Sequence, residues 1–431
     1  TGGETMLRAM RDAFLKSVVI TLILLLAASV PITRAADITE QAQQILQATR
    51  VSGGLIVHLG CGDGRLTAAL RANDRYLVQG LDADAEDVAK AREHIQRLDL
   101  YGPVSVDRLA NGQLPYAENL VNLLVADDLD GVSQEEVMRV LAPGGTACIK
   151  QGDEWKKFVK PYPDSMDEWT HYLHDASGNA VAADTEVATP RHARWIAGPL
   201  WSRSHEFNPS INSLVMAGGR MFYILDEGLI GLPDLRFPAR WSLVARDAFS
   251  GKSLWKKPLP KWGYREWNTR GMWSAPLTLN RRVVTDGKQV FVTFGYRAPV
   301  TVLDAVTGDE IRTITGTMGT DEMVLSDGVL LLCVRQRLSV ASPPEPDAER
   351  RRKLNPNEFT IGAPGPAEIV AVEAATGREL WRSAPQNVVV LTLAADKRRV
   401  CFSDKQNLVC LDMDTGEKSW TTRCRAPGGS R

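Results

Sequence analysis

The hydrophobic pattern splits the chain into two kinds of sequence. Between Ala36 and Pro161, apolar runs of strand length alternate with amphipathic stretches of helix length. ITEQAQQILQAT, residues 38–49, puts Ile38, Ala42, Ile45 and Leu46 on one face and predicts a helix. Residues 55–59, 76–81, 104–106, 120–126 and 146–149 read as five strands. Residues 65–72, 85–98 and 133–141 read as the helices between them. Alternation at this spacing predicts a Rossmann-like α/β domain, a doubly wound parallel sheet with helices on both faces. Residues 150–159 read as a hairpin around Gly152-Asp153, and Pro161 and Pro163 as the domain boundary.

From Ser210 onward the pattern becomes strand, turn, strand. RDAFSGKSLW (246–255), LDAVTGDEIR (303–312), VEAATGRELW (372–381) and LDMDTGEKSW (411–420) each follow an apolar strand and set a glycine in a turn. In three of them a Trp follows that glycine by four residues, which suits packing between neighbouring sheets. VMAGGRMFYI, VVTDGKQVFVTF, MVLSDGVLLLCV and LAADKRRVCFS precede them as a second hairpin each. Two hairpins per unit make a four-stranded blade. The turn glycines at 251, 308, 377 and 416 are 57, 69 and 39 residues apart. Insertions at 339–366 and around Lys261–Trp273 account for the longer gaps, leaving a period of about 40 residues. The expectation is an all-β propeller with about four blades visible, either part of a longer chain or an open half.

Composition adds an address and removes some partners. A 431-residue chain is long for one core and suggests two to three domains. A net charge of −1 argues against a general nucleic-acid partner. All eleven Trp lie from Trp155 onward, in keeping with two differently built halves. At the N-terminus, Arg8, Arg11 and Lys16 precede an apolar run over 18–28 and then small residues up to Ala36. This pattern reads as a signal peptide over about 6–36, with Met6 as its start. It predicts a periplasmic or secreted protein with no integral span after cleavage. The six Cys form no CxxC and no dense framework; Cys401 and Cys410 could face each other on neighbouring strands as free thiols. The expected order is a leader (1–36), a Rossmann-like domain (37–161), a joint (162–209) and the propeller (210–431).

The candidate chemistry centres on LIVHLGCGDGRL, residues 55–66. Gly60, Gly62 and Gly64 follow a strand and open a helix, where backbone can approach a ligand closely. Asp82 ends the second strand, 22 residues after Gly60, and can accept hydrogen bonds from a ribose diol. Asp127 and Asp128 follow the fourth strand and read as caps of the next helix or as a polar cluster at the site; no catalytic residue is evident. The stretch Ser52–Lys150 resembles the class I S-adenosylmethionine-dependent methyltransferases. GCGDG resembles the family's first motif, LDAD its ribose-binding motif, LPYAEN the loop before strand four and EEVMRVLAPGG the segment leading into strand five. The resemblance implies that S-adenosylmethionine is bound by Gly60, Cys61, Gly62, Gly64 and Asp82, with Asn111 near the adenine. Two positions depart from the family: His58 stands where it has an acid, and Val121-Asn122 where it has Phe-Asp.

Four of the six His fall between 171 and 205. His171, His174 and Asp175 are compatible with a metal, but no HExxH motif occurs and cementing of the joint is the favoured reading. The blades resemble the pyrroloquinoline-quinone-type propeller repeat, with its A-x-T-G-x-x-x-W pattern. The quinone itself is not expected, because the adjacent cysteine pair that the resemblance would imply is missing. Trp262, Trp267 and Trp273 beside Arg265 and Arg270 could form a surface for a small molecule, glycan or protein partner, or pack over one propeller end. Two functions follow. One is methyl transfer by an exported enzyme. The other is a non-catalytic extracytoplasmic binding or scaffold protein with a degenerate nucleotide domain, since S-adenosylmethionine is a cytosolic metabolite. A quinone-linked dehydrogenase ranks third.

Overall fold

A computed structural model describes residues 28–30, 38–152, 154–185, 189, 193–198, 210–229, 240–263, 277–295, 297–335 and 366–424. The chain forms two compact units. One comprises Thr1–Asp164, Pro190–Ile196 and Phe249–Leu254; the other comprises Ser165–Thr189, Ala197–Ala248 and Trp255–Arg431.

The first unit is built on a seven-stranded sheet. Its strands are β1 (Ala28–Val30), β2 (Gly54–Leu59), β3 (Tyr76–Asp82), β4 (Val104–Arg108), β5 (Val121–Ala126), β6 (Leu141–Gln151) and β7 (Glu154–Val159). The order is β1-β7-β6-β5-β2-β3-β4. Strands β2 to β6 are parallel, while β7 is antiparallel to β6 and β1 to β7. β1 lies inside the span read as a leader. The helices are α1 (Ile38–Thr49), α2 (Arg65–Ala69), α3 (Ala85–Arg97) and α4 (Gln134–Val140).

β2 is apolar on both faces because both are covered. Ile56 joins a core with Ile45, Val78, Ala91 and Ile95, while Leu55, Val57 and Leu59 join one with Leu124, Val137 and Val140. Each such side chain contributes about 1.5–3 kcal/mol on burial. The chain runs from β2 outward through β3 and β4, then returns through β5 to β6. The order therefore reverses between β2 and β5, where ligands bind in open parallel sheets.

Two elements differ from expectation. The helix after the glycine turn ends at Ala69 rather than Ala72, as Arg71 turns back to the Ala68 carbonyl and pairs with Asp74. The strand expected from Thr146 starts at Leu141, with a register shift between Val121 and Leu123 that takes up the Pro143-Gly144-Gly145 segment. A Cβ on Gly145 would stand 2.8 Å from the Ala142 and Val121 carbonyl oxygens, so only glycine passes there.

The second unit holds the blades, four antiparallel meanders in chain order. They are β8–β11 (first strand Ile211–Ala217), β12–β15 (Val283–Thr285), β16–β19 (Thr320–Ser326) and β20–β23 (Ala394–Ala395). This is the propeller-like architecture expected, with both insertions mostly outside the described residues. Cys401 and Cys410 face each other on β21 (Arg399–Ser403) and β22 (Asn407–Asp412) as free thiols, sulfurs 3.1 Å apart.

A strap crosses the first strands of all four blades. Trp169 pairs with Met216 through two backbone hydrogen bonds of 3.0 and 2.6 Å. The Thr170 carbonyl accepts from Thr285 N–H at 3.2 Å, His171 Nε2 from Leu325 N–H at 2.9 Å, and the Ala176 carbonyl from Ala395 N–H at 2.8 Å. The histidine-rich segment thus cements the blades. His171 is 6% exposed, and burial holds its pKa down to about 4, keeping Nε2 free to accept.

A second link joins the blades through charge. Glu322 on β16 is fully buried. Its Oε1 accepts from Leu391 N–H at 2.9 Å, and its Oε2 stands 3.6 Å from Arg281. Arg281 also donates to the Leu391 and Leu393 carbonyls. Burial, then the neighbouring Asp321, push the Glu322 pKa up to about 7 against the opposing pull of Arg281 and Arg335.

The two titrations act in opposite directions. The lowered His171 pKa removes stability as pH falls from about 6.5 to 4. The raised Glu322 pKa removes stability as pH rises from about 4.5 to 7, by at most roughly 3 kcal/mol. In Glu322→Gln, urea unfolding should therefore show stability rising with pH across this window, more steeply than in the parent chain. Equal slopes would refute the buried-carboxylate account.

Candidate functional site

The site sits where β2, β3 and β5 end. Gly60, Gly62 and Gly64 all take positive φ, at 67°, 52° and 78°. Their reasons differ. A Cβ on Gly64 would lie 2.8 Å from the Ala91 Cβ, so this glycine lets α2 and α3 approach each other. A Cβ on Gly62 would meet no atom within 4 Å, and one on Gly60 only Asp130 Oδ2, at 3.4 Å. The first two glycines therefore border a hollow that protein atoms do not fill. Cys61 turns the other way: its side chain is 4% exposed and packs against Gly80, and burial lifts its thiol pKa to about 12. Only its backbone belongs to the turn, and its N–H goes to the Leu81 carbonyl.

Asp82 holds the turn in shape. Its Oδ2 accepts from Gly62 N–H and its Oδ1 from Asp84 N–H, both at 2.9 Å. It is 8% exposed. Each oxygen keeps a lone pair beyond the one used, so the carboxylate can still accept from a ligand. Asp84 then caps α3 through Glu86 N–H.

The loop from β4 to β5 carries Asn111, exposed and left-handed at φ 57°. Gly112 beside it packs against the Gly131 carbonyl, where a Cβ would be 2.8 Å away. Arg139 on α4 anchors the same loop by donating to the Tyr116 and Leu114 carbonyls, and Glu136 accepts from Leu114 N–H. Helix side chains thus fix this loop.

Asp127 and Asp128 do not cap α4; Ser133 does, through Glu136 N–H. Asp127 pairs with Lys150 at 3.5 Å, and Asp128 accepts from Asp130 N–H. Asp130, missed in the sequence, reaches over Gly60. Burial, then Asp128 and Asp82, raise its pKa above the ordinary carboxylate value. No motif marked it: only the fold brings the end of β5 beside the end of β2.

The two departures from the methyltransferase pattern have separate explanations. His58 is 4% exposed, its Nδ1 2.8 Å from Thr67 Oγ1 on α2. Burial pulls its pKa to about 4, so it ties strand to helix as a neutral group. Asn122 lies at the start of β5, away from the hollow. Its Oδ1 accepts from Leu55 N–H at 2.8 Å, in the space that a side chain on Gly54 would occupy.

Residues 56–145 match the methyltransferase-domain family. Residues 358–430 match the model described as outer membrane protein assembly factor BamB. No curated protein matches the chain. Among solved structures it is similar to a SAM-dependent methyltransferase from Aquifex aeolicus, at 20% identity, 25% of this chain, 62% of that one and a TM-score of 0.23. It is also similar to geranyl diphosphate C-methyltransferase from Streptomyces coelicolor, at 17% identity, 26% of this chain, 44% of that one and a TM-score of 0.24. The chain spans about half the length of the solved structures it matches, 53% in one case.

Among the described residues, the propeller-side candidates are engaged in bonds within the fold. His171 Nε2 is bonded to Leu325 N–H, and His174 Nε2 to Asp167 at 2.7 Å. Among the described residues no three His, Cys, Asp or Glu side chains converge on a metal position. Trp262 is 4% exposed, donates to the Thr293 carbonyl and stacks near Trp241. It packs inward and is not part of an exposed aromatic surface; Trp267, Trp273, Arg265 and Arg270 lie outside the described residues.

The glycines are separable by experiment. Gly64→Ala should lower stability by about 2–5 kcal/mol, from left-handed strain and overlap with Ala91. Gly62→Ala should cost about 1 kcal/mol, from strain alone. Urea unfolding of the two variants checks this; equal losses would refute the assignment.

Proposed function

We propose that the first unit binds S-adenosylmethionine in the hollow beside Gly60 and Gly62 and transfers its methyl group to an acceptor. The observation that carries the reading is a space left open by two glycines and faced by the carboxylates of Asp82 and Asp130. Carboxylates there favour a cationic ligand and would repel the pyrophosphate of a dinucleotide. The bound donor would supply a methyl group on a positively charged sulfur. Asp82 would accept from the ribose diol, Asn111 would stand at the adenine edge, and Gly60, Cys61 and Gly62 would present backbone. Gly64 would hold α2 in place. Asp130 would orient the charged end of the donor or a hydrogen-bonding group of the acceptor. Transfer needs chiefly alignment of donor and acceptor, which such a fixed hollow provides. The methyltransferase-domain match over 56–145 supports the reading.

The chain is further proposed to be exported, with the blades as the partner-binding module. The basic, apolar and small-residue order over 6–36 supports this, as does the match to a model of an outer membrane protein assembly factor. Among the described residues no helix is long and apolar enough to cross a membrane. Neutral His58 in the place of an acid favours the second reading, a degenerate domain in a binding protein.

Isothermal titration decides between the two. S-adenosylmethionine should bind, Asp82→Ala should weaken binding at least about tenfold, and Gly62→Ala should abolish it in a folded protein. NAD should give no heat. Absence of heat with millimolar S-adenosylmethionine, in a chain shown to be folded, would leave only the second reading.

A further inference from the structure

Strand pairing sets one pair of side chains at the same register in every blade. The residue six before each turn glycine, at 251, 308, 377 and 416, is Ala245, Val302, Ala371 or Cys410. Directly opposite on the preceding strand stand Phe222, Phe291, Leu331 and Cys401. In the first three blades both partners are apolar, and all six side chains are fully buried. Only the fourth blade fills the pair with two thiols. Packing does not require them, since a large hydrophobe opposite a smaller one serves the same register three times.

The two thiols are placed to react. Cys401 Sγ donates to Cys410 Sγ at 3.1 Å. A disulfide holds its sulfurs about 2 Å apart, so about 1 Å of movement separates the two states. Residues directly opposite on antiparallel strands have Cα atoms about 4.5–5.5 Å apart, within the span of a disulfide. Immediately after Cys410, β22 shifts register against β23 (Lys418–Arg423), and such a bulge lets a strand bend. Cys410 is fully buried, whereas Cys401 is partly exposed and is the sulfur that a reagent meets first. Burial, then the bond to Cys410, push the Cys401 pKa up to about 12, so this side chain rests as a thiol.

The same register makes a bond here easy to reopen. Opposed Cβ atoms on paired strands lie about 4.5–5.5 Å apart, while a relaxed disulfide sets them about 3.8 Å apart. Closure draws β21 and β22 together against their own hydrogen bonds, and a disulfide held under such tension is readily reduced.

We propose that Cys401 and Cys410 form a reversible dithiol–disulfide site, closed by exchange with a small-molecule disulfide and reopened by a small-molecule thiol. With oxidised glutathione as the reagent, the Cys401 thiolate attacks one glutathione sulfur. The glutathione S–S bond breaks, one glutathione leaves as a thiolate, and Cys401 carries the other in a mixed disulfide. The Cys410 thiolate then attacks the Cys401 sulfur, and the second glutathione leaves. The protons of the two cysteines end on the two glutathiones. Two cysteine thiols are oxidised and one glutathione disulfide is reduced. The closed bond pins β21 to β22 beside Trp420, the residue paired with Cys410 on β23.

Peptide mapping of the folded chain tests this. After free thiols are blocked, trypsin places the two cysteines in separate peptides, 400–405 and 406–418. Following treatment with millimolar oxidised glutathione, these should be recovered as one species, lighter than their sum by two hydrogens. Millimolar reduced glutathione, added to the folded chain before blocking, should return them to two. Cys410→Ser should halt the exchange at its first stage, with one glutathione on Cys401. Cys401→Ser should leave the buried Cys410 unmodified, and Cys424→Ser should leave the bond unchanged although Cys424 is exposed. The proposal is overturned if both peptides still carry blocked thiols after oxidation of a chain shown to be folded, or if the bond joins Cys424 instead. It is overturned equally if the bond forms but excess reduced glutathione opens it only in urea, since it would then be a structural staple.

Discussion

Both units depend on backbone approached so closely that a Cβ would collide. In the first, Gly64 lets α2 lie against Ala91 and so sets the angle at which the chain leaves β2. In the second, the turn glycines receive an indole or a guanidinium from the blade before. The same covalent simplicity has opposite uses. Around Gly60 and Gly62 it leaves a hollow; between blades it is filled by the protein's own side chains. The first arrangement suits a ligand and the second a joint, which is why similar glycine spacing signals a site in one half and architecture in the other.

Much of this was legible in the sequence. The strands and helices of the first unit follow from apolar runs and their period, because β2, β5 and β6 are covered on both faces and α1 and α3 on one. The blades were legible because every copy repeats the same turn chemistry. The missing pieces are those made by distant partners. Asp130 reaches Gly60 only once β5 lies beside β2. The path of residues 169–176 across four blades has no periodic signature, since its bonds are to backbone groups more than a hundred residues away in the third and fourth blades. The Pro-Gly-Gly segment looked like a break before a strand, yet β6 absorbs it as a register shift, a choice made by the pairing with β5. Asp127 and Asp128 looked like helix caps because they precede a helix, but Ser133, one residue before α4, had the better geometry.

The electrostatics of the hollow follow from depth. His58 lies beneath the turn, where burial keeps it neutral, while Asp82 and Asp130 stand at its rim. A charge at the level of His58 would need a partner; a carboxylate at the rim is served by backbone N–H groups and by solvent. Histidine where the resembled methyltransferases carry an acid therefore leaves this buried position neutral. Asp82 also shapes the turn, so under the proposed function recognition and local structure would be tied to one side chain.

The strap has a consequence for the order of folding. It precedes every blade in the chain, yet its last bond, from Ala395 N–H to the Ala176 carbonyl, joins residues 219 positions apart. A ribosome releases the strap first and its final partner last. Until the fourth blade emerges, the strap can hold only the blades already made, with its remaining hydrogen-bonding groups facing water. The loop that must close is long, and contacts of such sequence separation form slowly. The strap thus makes its bond to the fourth blade only after that blade has emerged, and the interval before that is when the strand edges of the unit are most open to mispairing.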